Sequence, residues 1–213
     1  MDVGIAGFGT IGKPVAQALH AGIEGLQLTA ICSRDQKKAE RNMIGLCRPV
    51  PVVTPAELAK ACDVIVECVP KNAFREIAEP ALTAGRTMIT VSGAGLLDHP
   101  DLIDLARKTN ARIILATGAL LGLDAVRAAA EGEIREVRMV TRKPPNSLSG
   151  APYLTKHGIN IENLTAPIKV FEGTAREGAA GFPANVNVAA ALGLAGVGPD
   201  KTLLEIWADP ELD

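Results

Sequence analysis

The stretch "DVGIAGFGTIGKPVAQALH", residues 2–20, decides how the rest of the chain is read. Residues 2–8 are almost continuously apolar, as expected of a strand buried on both faces. Gly7, Gly9 and Gly12 then fall in G-x-G-x-x-G spacing, and residues 11–22 have helical character. Alone, that string is weak. Directly after a first strand and at the start of a first helix, it reads as a loop that cradles a pyrophosphate. Gly7 permits the tight turn, Gly9 lets the backbone approach the phosphates, and Gly12 lets the helix pack closely on the strand. Thr10 and Ile11 complete the loop, and the phosphates would rest on unpaired N–H groups at the helix start.

Outward from this loop the chain keeps one rhythm for about 120 residues. Strands are expected at 26–32, 63–69, 86–92 and 111–117, and helices at 36–43, 55–61, 73–85 and 99–109. Apolar strands separated by helices of this length predict an α/β fold with a doubly wound parallel sheet covered on both faces. After "TGALLGLDAV" the rhythm changes. Residues 134–143 alternate like a strand with one solvated face, and 166–175 and 201–208 are further strands. Residues 183–195 read as a helix with Pro183 in its first turn, where a missing N–H costs nothing. Two domains are therefore expected: a dinucleotide-binding domain at 1–119 and a second, α+β mixed-sheet domain at 120–213.

The second strand's end bears on which dinucleotide is bound. A free ribose 2′-hydroxyl is usually gripped by an acid about twenty residues beyond the glycines. Here that place holds Ser33 followed by Arg34, a pair suited to a 2′-phosphate, while Asp35 could partly restore binding of the unphosphorylated form. NADP is the expected cofactor, with NAD possible. Val69 and Pro70, after the strand 63–69, are expected to line the crevice at the strands' carboxyl ends. The small residues of "VSGAGLL" (91–97) fit a backbone passing close to a nicotinamide ring.

Composition narrows the rest. The 213 residues are 47% hydrophobic and 22% charged, with net charge −2 and pI near 6.0, which gives no reason to expect nucleic acid or an anionic membrane as partner. No apolar run reaches membrane-spanning length, and the early first strand gives no expectation of a signal peptide. Cys32, Cys47, Cys62 and Cys68 form no C-x-x-C pair and read as reduced thiols of a cytoplasmic protein. The three histidines, His20, His99 and His157, are far apart, so no metal site is expected.

In the second half, "TGALLGLDAVRAAAEG", "VRMVTRKPP" and "VFEGTAREGAAGFPANVNVAAALGLAGVGPDKT" resemble the L-aspartate dehydrogenase family, and the likeness runs in order along nearly the whole chain. The resemblance implies a Rossmann domain followed by a mixed-sheet domain that builds the substrate pocket and the interface of a homodimer. It implies NAD(P)-linked oxidative deamination of L-aspartate to iminoaspartate, which yields oxaloacetate and ammonia and in many bacteria feeds NAD biosynthesis. The family's nicotinamide contacts fall on Ala119 and on Asn185 or Asn187. If 183–195 is helical, those two asparagines point about 200° apart and serve different partners. Arg142 and Lys143 of "TRKPP" are candidates for the substrate's carboxylates. The family's catalytic histidine follows the "ADP" segment, so the resemblance puts it beyond Asp213, and none of His20, His99 or His157 matches it. A catalytically inert NAD(P)-binding protein of the same fold is the alternative, as is a reductase of a related aspartate-derived metabolite.

Overall fold

A computed structural model of the chain describes residues 1–43, 46, 48–118, 120–183 and 186–212. The chain divides into two compact units, Met1–Ala116 and Thr117–Asp213. In the first, strands β1 (Asp2–Ala6), β2 (Gln27–Cys32), β3 (Val52–Val53), β4 (Val64–Glu67), β5 (Thr87–Thr90) and β6 (Arg112–Leu115) form one parallel sheet. Its order is β3-β2-β1-β4-β5-β6. Helices α1 (Gly12–Gly22), α2 (Gln36–Asn42), α3 (Pro55–Ala61), α4 (Phe74–Thr83), α5 (Gly93–Asp98) and α6 (Asp101–Thr109) connect the strands.

The apolar strands exist because both faces of the sheet are covered. Successive side chains of a strand point to opposite faces. Ile5 of β1 accordingly packs with Ala16, Leu19 and Ile31, while Ala6 packs with Leu58, Cys62 and Ile65 on the other side. Beside β5, Phe74, Leu82, Met88 and Leu102 form a further core. Full burial of each such side chain contributes about 1.5–3 kcal/mol. At the start of α3, Thr54 and Glu57 satisfy each other's backbone N–H groups in a capping box, with Pro55 next in line, so this helix begins where its sequence says it should.

Two elements differ from the sequence reading. The two-residue strand β3 is too short to leave a periodic signal. The segment "VSGAGLL" is mostly helix rather than an open loop, and residues 93–97 are all buried in α5. A β-carbon on Gly95 would meet the Phe74 ring at 2.6 Å. That glycine makes room for a core aromatic, which accounts for its small size without a nearby ligand.

The second unit is built on strands β7 (Val137–Lys143), β8 (Ile168–Thr174) and β9 (Thr202–Ala208), in the order β7-β9-β8. The central strand β9 is parallel to β7 and antiparallel to β8. Its helices are α7 (Leu123–Ala129), α8 (Pro145–Leu148), α9 (Pro152–His157), α10 (Ala175–Gly181) and α11 (Asn187–Ala195). Along β9 the buried residues Thr202, Leu204, Ile206 and Ala208 alternate with partly exposed ones. A β-carbon on Gly178 of α10 would strike Leu204 at 2.5 Å, which identifies the buried face as the one the helices cover. Tyr153, Phe171 and Phe182 pack edge-on or tilted, with centroids 5.1–5.6 Å apart, and complete this core.

The helix near Pro183 corrects an expectation. It begins at Asn187 rather than Pro183, with Val186 as an N-cap that supplies no side-chain bond. The expected 200° separation of the two asparagines involves Asn185, which lies outside the described residues.

Candidate dinucleotide site

Strand order reverses between β1 and β4, and in sheets of this kind ligands settle outside the carboxyl ends of the strands at that reversal. Three loops meet there. Gly7, just past β1, has φ +92°, a conformation open to glycine and strained for other residues. Its N–H donates to the Cys32 carbonyl at the end of β2 (2.9 Å). A β-carbon on it would lie 2.5 Å from the Cys68 carbonyl oxygen after β4. Gly7 is thus the knot that ties the β1, β2 and β4 ends together.

Gly12 has a different reason to be small. A β-carbon there would stand 1.9 Å from the Gly7 carbonyl oxygen, so only glycine lets α1 turn in so close to the strand that precedes it. Gly9 is the reverse case. Nothing lies within 4 Å of the place where its β-carbon would go, which leaves open space against bare backbone. Thr10 and Ile11 beside it are exposed. Ile11 is the N-cap of α1 and supplies no side-chain hydrogen bond, so no side-chain cap screens the helix start from an incoming anion. Asn42, the last residue of α2, donates from Nδ2 to the Phe8 carbonyl (2.9 Å) and fixes the loop from the far side. These features fit a pyrophosphate lying on residues 7–12.

At the end of β2, Arg34 is exposed and Ser33 Oγ donates to the Asp35 carbonyl (3.2 Å). The Asp35 carboxylate is already occupied as N-cap of α2, accepting from the Lys38 N–H at 2.9 Å. After β4, Val69 is half-buried and Pro70 exposed.

The sequence reading missed the groups beneath these loops. Glu67, at the end of β4, is completely buried. It accepts from the Val69 N–H (2.7 Å), from Ser92 Oγ (3.0 Å) and from Thr90 Oγ1. Burial pushes its carboxyl above the ordinary glutamate value, and the three hydrogen bonds pull the other way. One acid inside the otherwise apolar run "VIVECV" (64–69) was the available signal. Above it, Lys71 and Asp98 pair at 2.7 Å, joining the β4 loop to the end of α5.

In the second unit the proposed cations separate. Arg142 and Lys143 are neighbours on β7 and so point to opposite faces. In the register, Lys143 lies beside Ala208 on the helix-covered face and Arg142 beside Trp207 on the other. Arg142 pairs with the buried Asp209 (3.2 Å) and stacks over the Trp207 ring at 5.5 Å. The pleat of the strand thus sets the two candidate cations on opposite faces of the sheet. Asn187 is the first residue of α11; Ala119 and Asn185 lie outside the described residues. His20 Nε2 accepts from the Arg48 N–H (3.3 Å), His99 follows α5, and His157 stacks on Tyr153 at 4.1 Å. Among the described residues, no group of three His, Cys, Asp or Glu is placed to hold a metal, and no helix is long and apolar enough to cross a membrane.

A glycine cradle at the reversal point of a parallel six-stranded sheet defines a Rossmann-type NAD(P)-binding domain, here followed by a separate mixed-sheet unit. Residues 7–116 match the family described as "Homoserine dehydrogenase, NAD binding domain", and residues 124–213 match "Aspartate dehydrogenase, C-terminal". The chain is 54% identical to an L-aspartate dehydrogenase of Bradyrhizobium diazoefficiens over 99% of its length and 75% of that protein's. It is 47% identical to L-aspartate dehydrogenase 3 of Bordetella bronchiseptica, covering 99% of this chain and 78% of that one. The crystal structure of an aspartate dehydrogenase from Thermotoga maritima superimposes with a TM-score of 0.75 at 27% identity, over all of this chain and 80% of that one. The chain belongs to the L-aspartate dehydrogenase family.

Proposed function

We propose that this protein is an NAD(P)-dependent L-aspartate dehydrogenase, oxidising L-aspartate to iminoaspartate, which water converts to oxaloacetate and ammonia. The observation that carries the reading is the pairing of an open glycine cradle in the first unit with a second unit of the aspartate dehydrogenase C-terminal type. When bound, the nicotinamide supplies the hydride acceptor for the substrate Cα–H.

The chain's own residues do the holding. Gly7, Gly9, Thr10, Ile11 and Gly12 seat the diphosphate on the start of α1, and Val69 and Pro70 line the crevice. Ser33 and Arg34 are our candidates for a 2′-phosphate, and one carboxylate oxygen of Asp35 is already engaged in capping α2. NADP is the form we favour. In the second unit, Lys143 is the cation we assign to a substrate carboxylate, since Arg142 is committed to Asp209 and Trp207. Following the family, an amide of Asn185 or Asn187, together with Ala119, serves the nicotinamide carboxamide, for which Asn offers both donor and acceptor. The protein's task is to hold the reacting carbons about 3–3.5 Å apart and aligned.

We further propose a cytoplasmic homodimer whose product feeds NAD biosynthesis. The sheet face away from the helices supports self-association: Val140 is 53% exposed there, next to the partly exposed Leu203 and Trp207 and among Arg138, Glu172 and Glu205. Apolar centres framed by both charge signs suit an isologous contact.

The test is absorbance at 340 nm with L-aspartate and either NADP or NAD, and in reverse with oxaloacetate, ammonium and the reduced cofactor. Turnover with aspartate and none with homoserine is the expected result. Tight cofactor binding without turnover of any amino acid would instead identify an inert binding protein.

A further inference from the structure

Strand β4 lies between β1 and β5 in the sheet and is apolar along its length until its last residue, the fully buried Glu67. An acid there is costly. Removing a carboxyl from water is unfavourable unless donors replace the lost hydration, and an aliphatic side chain would serve stability at least as well. The donors are specific. Oε1 accepts from the Val69 N–H (2.7 Å) and from Ser92 Oγ (3.0 Å), and Oε2 accepts from Thr90 Oγ1. Thr90 Oγ1 in turn accepts from the Ser92 N–H (2.9 Å), and Ser92 Oγ lies 3.4 Å from the Val69 carbonyl. Thr90 is fully buried and Ser92 nearly so, which leaves their hydroxyls little access to water. The donors of this cluster therefore converge on one carboxyl.

What those bonds hold is the pair of loops that follow β4 and β5. Val69 is the second residue of the first and Ser92 the last of the second, immediately before α5. The first loop also runs behind the cradle, because the Cys68 carbonyl and the Val69 nitrogen are the atoms a β-carbon on Gly7 would strike. We propose that Glu67 is a positioning residue for the cofactor, its carboxyl locking the loops after β4 and β5 into the arrangement that receives the nicotinamide half of the dinucleotide. This rests on the dinucleotide reading above. Glu67 itself does not face the ligand; it acts through Val69 and Ser92. The adenosine half is held elsewhere, by the cradle and the end of β2, so the two halves should respond differently to its loss.

The experiment measures dissociation constants by calorimetry for NADP and for 2′-phospho-ADP-ribose, which lacks only the nicotinamide. The full chain is used as wild type, Glu67→Ala, Glu67→Gln and Ser92→Ala, each checked by thermal unfolding. Glu67→Ala should weaken NADP about tenfold, the scale of one charged hydrogen bond, and leave the fragment within about twofold. Glu67→Gln keeps one accepting oxygen and should recover part of the loss. Ser92→Ala removes a single donor without leaving a buried charge unsupported, so it tests the claim even if Glu67→Ala does not fold. Equal weakening of NADP and the fragment, or no weakening in variants that fold, would overturn the inference alone. A wild type that bound neither molecule would overturn the dinucleotide reading and this inference with it.

Discussion

The Gly7 carbonyl oxygen occupies the space a side chain at Gly12 would need: a β-carbon there would stand 1.9 Å away. Gly12→Ala must therefore push α1 off the sheet. The expected cost is about 1–3 kcal/mol of stability, as for an overpacked core, with cofactor binding lost alongside. Gly9→Ala separates the two effects, because nothing lies within 4 Å of its added methyl. Its unfolding midpoint should stay near that of wild type while NADP affinity falls at least tenfold. Thermal unfolding run beside calorimetry decides, and a Gly9→Ala protein that binds normally would refute the cradle.

Arg34 is exposed at the end of β2, whereas the carboxylate of Asp35 caps α2. Arg34→Ala is expected to weaken NADP about tenfold and to leave NAD nearly unchanged, since only the former carries a 2′-phosphate for the guanidinium to grip. Asp35→Ala should cost about 1 kcal/mol through the lost cap without improving NAD binding. Equal losses for both cofactors in Arg34→Ala would assign that residue to something other than the phosphate.

Arg142 and Lys143 occupy opposite faces of β7, so their variants should fail differently. Lys143→Ala is expected to raise the KM for L-aspartate about tenfold or more while leaving the unfolding midpoint in place, the behaviour of lost binding to a carboxylate. Arg142→Ala leaves Asp209, only 4% exposed, without its cation. It should lower stability by about 1 kcal/mol and change KM little. The reverse pattern would exchange the two assignments.

Three thiols titrate high because burial disfavours the thiolate: Cys32 and Cys62 are pushed up to about 11 and Cys68 to about 12. A folded-state pKa above the unfolded value of 9.0 gives stability that is whole below pH 9 and fades as pH rises through the folded value. Urea midpoints should therefore drop between pH 9 and about 11, less steeply in Cys32→Ala/Cys62→Ala. These three thiols should react slowly with thiol reagents at pH 8 in the native protein and fast once it is unfolded. Rapid labelling of all three thiols in the native state would contradict that burial.

Much of the fold could be read locally, because a buried parallel strand and its covering helix each leave a pattern a few residues wide. The glycine spacing pointed to a tight turn between the first strand and helix, and the helix at 55–61 was legible because its capping box acts within four residues. By contrast, β3 at two residues is too short for any period to register. The start of α11 at Asn187 rather than Pro183 was equally illegible, because its N-cap Val186 offers no side-chain capping group to mark it.

By itself, then, the sequence determined the alternation of strands and helices, the glycine turn and the family, all properties of contiguous residues. Only tertiary structure decided which charges remain available and which are committed. Asp35 is spent on a helix cap, Arg142 on a partner 67 residues away, and Glu67 on donors that reach it from β5 as well as from its own loop. Residues distant along the chain become neighbours when strands pair, and a charged group's role is set by the neighbours it acquires there.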